Sequence, residues 1–341
     1  MNKYKLFSRD SRTFSLFRKN WVSAIEENGH DLGIWNRGFG ARNVWNAFRE
    51  FYRSKGTRRL IFGTSEVFLY LCLSHERDVF IFTGLGRLLQ EKTFRSRIAG
   101  LVLRLFYRGQ CLVVLNSDDA AYIQEVVGYR PHVLDGEGYD FGAQLLPQPL
   151  SGRVVFAYVG RLLKSKGVDL LIDQFLAARA RGGCEAELLL VGDFDYSNSD
   201  SIPKAWFSKK LMQSGRSISH IGYVNDVKRI LSQVHVTISM SRREGLPFGV
   251  LDGIDSGCLV ILSPVPGHLA FQALPGVLLV GAHGLANAIS DILLRPENYL
   301  CFDRLGRIET CRNLFGGSTI KQSIATILFG ERSSAVSADR T

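Results

Sequence analysis

No stretch of this 341-residue chain approaches eighteen consecutive apolar residues, and its start, Met1-Asn-Lys-Tyr-Lys5, is not followed by an apolar signal region. The expectation is a protein that neither spans a membrane nor is exported by that route. Cysteine is sparse and scattered. Cys72, Cys111, Cys184, Cys258, Cys301 and Cys311 form no CxxC pair and no close Cys/His cluster, and several lie in apolar runs. That pattern excludes a zinc site and a disulfide framework and reads as reduced core thiols in a cytoplasmic protein. No helix-turn-helix, RNP-like or zinc-finger pattern occurs, so nucleic acid is not expected as a partner. No short internal repeat occurs either.

What is present is the composition of an ordinary globular protein, 46% hydrophobic and 22% charged, in a length that suits two domains. The formal charge of +10 implies attraction to something acidic: anionic lipid, nucleic acid or a phosphorylated substrate. Strands and helices alternate. Residues 4–8, 31–35, 59–62, 78–83 and 111–115 read as strands; 14–27, 43–52 and 94–107 read as helices, and a further helix opens at Ser117-Asp-Asp119, whose side-chain oxygens can cap it. Residues 141–153 contain Pro147 and Pro149 and no period, the mark of a linker. Strands follow at 154–160, 187–191, 234–239 and 258–262, with an edge strand at 277–281 and helices over 168–180, 226–232, 285–294 and 319–328. This order predicts the α/β class, doubly wound parallel sheets in two domains, 1–150 including the linker and 151–330. The polar, Ser-rich residues 331–341 are expected to be disordered.

Two stretches carry candidate chemistry. Ser239-Met-Ser-Arg-Arg-Glu244-Gly-Leu-Pro-Phe-Gly249-Val-Leu-Asp252-Gly-Ile-Asp-Ser-Gly257 lies between two buried strands and must be a turn and a short helix. Pro247 suits a first helical turn, Gly245 and Gly249 let backbone approach a ligand, and free amides at the helix start favour an anion. Glu244 and Asp252 stand eight residues apart; the residues alone leave open a plain βαβ crossover with a solvated acid at each end. In Gly160-Arg161-Leu-Leu-Lys-Ser-Lys166-Gly167, two cations at a strand end suit a diphosphate, the alternative being a solvated basic loop. Asp193-x-Asp195 invites a divalent metal, but Arg161 and Lys166 already supply positive charge, and no metal is expected.

The run Ser241-x-x-Glu244-Gly-x-Pro247, the second acid eight residues on, Gly257 and the apolar strand after it together resemble the signature of the retaining glycosyltransferases of family 4. That family has the GT-B fold, two facing Rossmann-like domains, and includes enzymes that build bacterial surface polysaccharides. The resemblance covers most of the chain and is strongest over 154–268. It implies that Glu244 contacts donor-sugar hydroxyls, that Gly245, Leu246, Pro247, Phe248 and Gly249 bind sugar or phosphate, and that Asp252, where the family usually has Glu, bonds the nucleotide ribose. Gly160, Arg161 and Lys166 would hold the donor pyrophosphate, and Tyr223 in His220-Ile-Gly-Tyr-Val224 would lie against the base. Glu244, Arg161 and Lys166 are the catalytic candidates. Phe82-Thr-Gly84-Leu-Gly86, Leu115-Asn116-Ser-Asp-Asp119 and Gly136-Glu-Gly-Tyr-Asp140 resemble acceptor-side loops, with Gly84, Gly86 and Asn116 as their candidates. The family's first Gly-rich loop is not evident near residues 8–15, and a frequent histidine is missing near Thr83 to Gly86. His268 either touches the donor sugar or is exposed.

The function implied is transfer of a sugar, with retained configuration, from a nucleotide diphosphate sugar (a UDP-sugar) to a hydroxyl of a glycan or lipid-linked glycan, without a cofactor. A non-catalytic nucleotide-sugar-binding subunit and a nucleotide-sugar epimerase of the same architecture are the rivals. The last helix is expected to return toward the first domain. Finally, residues 92–108 carry Lys92, Arg95, Arg97, Arg104 and Arg108 and no acid, interleaved with Phe94, Ile98, Leu101, Val102, Leu105 and Phe106. Such a helix is either a core-packed surface helix or a basic amphipathic one lying on anionic lipid at the cytoplasmic face of the membrane.

Overall fold

The computed structural model describes residues 3–8, 19–36, 41–85, 94–136, 138–142, 147, 150, 152–196 and 198–330. Gly86, Lys92, the helical reading of 14–18, most of the linker and the tail 331–341 lie outside the described residues.

Short runs of β-branched, leucine and aromatic residues, each closed by a small-residue turn, form parallel strands covered on both faces by helices. In the first unit these are β1 (Lys3–Ser8), α1 (Lys19–Glu27), β2 (Asp31–Asn36), α2 (Ala41–Arg53), β3 (Arg58–Phe62), α3 (Thr64–Tyr70), β4 (Val79–Phe82), α4 (Phe94–Phe106), β5 (Cys111–Val114), α5 (Ser117–Val127) and β6 (His132–Val133). The strand order is β2-β1-β3-β4-β5-β6. Successive strand residues alternate between two apolar layers. Phe7, Ile61, Phe80 and Phe82 join Phe51 and Tyr70 on one face. Leu6, Leu60, Phe62, Val79 and Ile81 join Trp21 and Ile25 on the other. The last helix of the chain, α14 (Gly317–Phe329), packs on α1 and places Ile320, Ile324 and Leu328 in that second layer.

A charged pair lies inside this unit. Arg59 Nε and Nη2 donate to Asp78 Oδ1 and Oδ2 at 2.8 and 2.6 Å, and Nη1 donates to the Phe51 carbonyl at 3.2 Å. The guanidinium stacks 3.9 Å from the Phe51 ring centre, and Asp78 Oδ2 also accepts from the His75 amide. Both side chains are 1% exposed, a burial tolerated because the fork-to-carboxylate geometry and the added bonds leave little of either charge unmet.

The second unit contains β7 (Arg153–Val159), α6 (Val168–Arg179), β8 (Glu185–Val191), α7 (Lys204–Gln213), β9 (Ile218–Gly222), α8 (Val227–Leu231), β10 (Val236–Ser239), α9 (Phe248–Asp255), β11 (Leu259–Leu262), α10 (Pro266–Leu269), β12 (Val277–Leu279), α11 (Leu285–Leu294) and α12 (Pro296–Leu300). A further helix, α13 (Arg304–Phe315), leads to α14. Its sheet is also parallel, in the order β12-β11-β10-β7-β8-β9.

The units comprise residues 1–138 with 314–341, and 139–313. The break therefore falls at Gly138/Tyr139, ahead of the expected position at 150. The reason is aromatic: Tyr139 packs on Phe141 and on Phe248 of α9, ring centres 4.8 and 6.0 Å apart, which draws this segment into the second unit. Helices α3, α7, α10, α12 and α13 and strands β6 and β9 are not among the elements expected from the sequence, which reads 265–268 as a loop. The cap of α5 is also not what the sequence suggested, because Asn116 Oδ1 accepts from the Asp119 amide at 2.8 Å and Asn116, not Ser117, is the cap residue.

Candidate active site

Both candidate stretches leave the carboxyl ends of neighbouring strands, β7 and β10, which pair directly. The loop 161–167 is held from two sides by backbone. The Leu162 and Lys164 amides donate to the Asp193 and Asp200 carbonyls at 3.0 and 2.9 Å; the Ser165 amide donates to Asp200 Oδ2 at 2.7 Å, and its carbonyl accepts from the Arg242 amide at 2.8 Å. The buried Tyr158 hydroxyl donates to the Arg161 carbonyl at 2.8 Å. Burial, then the Glu244 charge, pushes that phenol far above its ordinary pKa, so it stays a donor. Gly167 turns the chain into α6 with φ of 70°, and any Cβ there would collide with the Met240 carbonyl. Only glycine meets both demands.

This rigid loop brings the two cations to different places. Lys166 Nζ donates to Glu244 Oε1 at 2.5 Å, the pair being largely shielded from water. Arg161 reaches outward, 59% exposed, and its Nη1 donates to Asp195 Oδ2 at 2.7 Å. The Asp193-x-Asp195 pair thus has one carboxylate engaged by a cation, and the described residues include no group of three or more His, Cys, Asp or Glu side chains able to hold a metal.

Glu244 is also gripped by Ser241, whose Oγ donates to Oε1 at 2.6 Å. Behind it lies a buried polar chain. His268 Nδ1 is 2.8 Å from the Ser263 carbonyl, which only accepts, so the proton resides on Nδ1 and Nε2 accepts from Ser239 Oγ at 3.3 Å. Ser263 Oγ donates to the Ser241 carbonyl at 2.5 Å, tying the chain to the turn that carries Glu244. Desolvation lowers the His268 pKa, which keeps the ring neutral. His268 is fully buried, so the alternative that it is exposed is overturned. The physical reason is α10, which seats Pro266–Leu269 over the turn at Glu244-Gly245.

Helix α9 starts one residue later than the sequence suggested: Pro247 is its N-cap residue and Phe248 its first. Its first turn has no acidic side chain and no side-chain cap, which leaves backbone amides available to an anion. Gly249 has a packing role of its own. A Cβ there would stand 2.5 Å from the Val159 carbonyl, so the glycine is needed to pack α9 against β7.

Asp252, one turn into α9, receives a hydrogen bond on Oδ1 from the Tyr139 hydroxyl at 2.7 Å. Burial dominates its environment and pushes its pKa up to about 6, against the lowering effects of Tyr139 and Lys228. Asp255, one further turn along, is paired with Lys228 and accepts from the Gly142 amide at 3.2 Å. Tyr139, Lys228, Asp255, Ser239 and Ser263 are the residues that sequence reasoning missed here. Ser239 and Asp255 lie inside the Ser239–Gly257 stretch without a role there, and Tyr139 lies in the Gly136–Asp140 loop, which the sequence places in the other domain.

Tyr223 follows β9 and is 71% exposed. Gly84, φ 132°, presents its carbonyl to Thr64 Oγ1 at 2.5 Å. Asn116 is engaged in capping. Helix α4 buries Ser96, Ala99, Gly100 and Leu103, and turns Arg97, Ile98, Leu101, Arg104 and Leu105 outward. Ile98, Leu101 and Leu105 are 46%, 56% and 68% exposed.

Residues 153–295 match the family model described as glycosyl transferases group 1. No curated protein matches the chain by sequence. Similar solved structures include HepE of Anabaena in complex with UDP, at 14% identity and a TM-score of 0.72 over 96% of this chain and 99% of that one. Sucrose-phosphate synthase of Thermosynechococcus elongatus is 18% identical with a TM-score of 0.75, covering 96% and 98%. WaaG, a glycosyltransferase involved in lipopolysaccharide biosynthesis, is 13% identical with a TM-score of 0.69, covering 97% and 100%. With two parallel six-stranded units of the GT-B fold and a glycosyl transferases group 1 domain in the second, the chain is a glycosyltransferase.

Proposed function

We propose that this glycosyltransferase moves a sugar from a UDP-sugar to a hydroxyl of a glycan or lipid-linked glycan in surface polysaccharide synthesis, with retention of configuration and without a metal cofactor. The observation that carries the reading is the meeting of Lys166 and Glu244 at the ends of β7 and β10, beside the uncapped first turn of α9. A departing sugar leaves negative charge on the β-phosphate, and fixed donors stabilise that charge without reorganising. Lys166, Arg161 and the α9 amides are such donors. Glu244, held by Ser241 and Lys166, is oriented to accept from donor-sugar hydroxyls, and Asp252 from the ribose. The titles of related structures support the donor and the setting: HepE was solved with UDP and with UDP-glucose, and WaaB is a lipopolysaccharide outer core galactosyltransferase.

A second observation supports docking on anionic lipid at the inner face of the cytoplasmic membrane. The outward face of α4 combines three exposed large apolar side chains with Arg97 and Arg104, and Arg108 follows the helix, also exposed. A solvated face of a core-packed helix has no use for Leu101 and Leu105 in water, whereas a headgroup layer takes up both the apolar and the cationic groups. No helix among the described residues is long and apolar enough to cross a membrane.

The test is turnover of a panel of UDP-sugars with lipid-linked glycan acceptors, the anomer of the product being read by NMR. Transfer with a retained anomer is expected. Free epimerised donor, or saturable donor binding without any product, would overturn the reading in favour of an isomerase or a binding subunit.

A further inference from the structure

Tyr139 makes a contact that the function above does not use. Its ring is 6% exposed, wedged edge-on to Phe141 and tilted against Phe248, with Lys228 Nζ 5.4 Å from its centre. Its hydroxyl donates to Oδ1 of Asp252 at 2.7 Å, and Oδ2 accepts no hydrogen bond from the described residues. A carboxylate with one oxygen fixed and the other unused is a preorganised acceptor. It is also short: Asp252 stands where a Glu, one methylene longer, is the resembling family's usual residue.

We propose that Tyr139 is a positioning residue of the nucleoside site, holding Oδ1 of Asp252 so that Oδ2 accepts from the ribose hydroxyls of the donor nucleotide. The proposal rests on the reading of Asp252 as the ribose contact. Without the phenol, two rotatable bonds let the carboxylate turn away, and one oxygen of a buried anion loses its donor. The charged groups around it are Lys228 on α8 and Asp255 on α9, and Arg312 of α13 sits 6.0 Å over the Phe141 ring. Among these, Tyr139 is the group that donates directly to Asp252.

The experiment compares binding of UDP and of 2′,3′-dideoxy-UDP, by calorimetry, to the whole protein and to its Tyr139→Phe, Asp252→Asn and doubly substituted forms. The diphosphate is common to both ligands, so the ratio of their affinities isolates the ribose hydroxyls. For the parent, UDP is expected to bind about tenfold or more tighter than the dideoxy compound, the scale of a hydrogen bond to a charged group. Tyr139→Phe should cut that ratio several-fold, leave dideoxy-UDP affinity unchanged, and raise donor KM without changing kcat. It should also move the acid limb of the ratio to higher pH, because the phenol favours the ionised carboxylate; a residue that only props the fold would not move that limb. Asp252→Asn should abolish the ratio, and the double substitution should add nothing to it. A parental ratio and acid limb in Tyr139→Phe, or losses that add in the double form, would overturn the proposal while leaving UDP binding intact. Failure of the parent to bind UDP would overturn the donor reading itself, and this proposal with it.

Discussion

Lys166 and Glu244, 78 positions apart in the chain, share one hydrogen bond of 2.5 Å, so the apparent phosphate cation and the apparent sugar acid neutralise each other before any donor arrives. The pairing keeps both side chains extended into the same small volume, and a donor that brings phosphate to one and hydroxyls to the other needs only to exchange partners. Lys166→Ala and Arg161→Ala are each expected to lower kcat about a hundredfold at saturating donor, the scale for removing a preorganised donor to developing charge. Near-parental kcat in either variant would remove that cation from the phosphate role.

Asp252 gives a prediction in which stability and function pull apart. Its folded pKa of about 6 lies above the ordinary 3.8, so between those values the folded state binds more protons than the unfolded one and stability falls as pH rises. Asp252→Asn removes the ionisation yet keeps an oxygen for the Tyr139 hydroxyl. Its thermal midpoint should exceed the parent's above pH 6, by up to about 3 kcal/mol in stability, and the gain should vanish near pH 4. The same variant should bind donor more weakly. Equal midpoints at pH 7.5 would show that the burial cost is absent.

His268 titrates the other way. Burial lowers its pKa, so as pH falls below the ordinary value near 6.5 the unfolded chain takes up a proton that the folded one refuses, and stability declines toward acid. His268→Gln, which can still bridge Ser263 and Ser239, should flatten that decline. Because the Ser263–His268–Ser239 chain supports the turn bearing Ser241, kcat should fall about tenfold while donor KM stays within about twofold, the pattern of a group whose placement matters in the transition state.

Chelation addresses the acidic pair after β8. With Asp195 engaged by Arg161, turnover is expected to survive EDTA unchanged. Loss of activity with EDTA that Mg²⁺ or Mn²⁺ restores would instead assign Asp193 and Asp195 to a metal.

Much of this fold can be read from the sequence because the strands of a covered parallel sheet are apolar on both faces, so that Val79–Phe82 and Leu259–Leu262 announce themselves as unbroken runs. The Lys166 and Glu244 stretches are legible for a related reason: each follows such a run and is punctuated by glycine. Tyr139 is not. It lies 113 positions from Asp252 within a Gly-rich loop, and nothing local distinguishes a phenol that reaches a carboxylate from one that covers a turn. Arg59 and Asp78 stand in the sequence merely as the starts of two strands, since a charge at a strand end is ordinarily solvated. Helix α3 escapes because its start has no side-chain cap, and α13, although Asp303 Oδ1 accepts from the Gly306 amide at 2.9 Å at its start, because Gly306 interrupts its apolar pattern.

Helix α14 has a consequence for how the molecule is made. Ile320, Ile324 and Leu328 complete an apolar layer whose other members, from Tyr4 to Leu134, are synthesised long before them, with about 175 residues of the second unit translated in between. At about 5–20 residues per second, a bacterial or eukaryotic ribosome takes on the order of 10–35 s to cover that interval. Throughout it, Trp21, Ile25 and their neighbours lack their final cover. The apolar layer of the first unit therefore closes only when the carboxyl-terminal segment emerges, so the order of translation sets when that unit can complete its core.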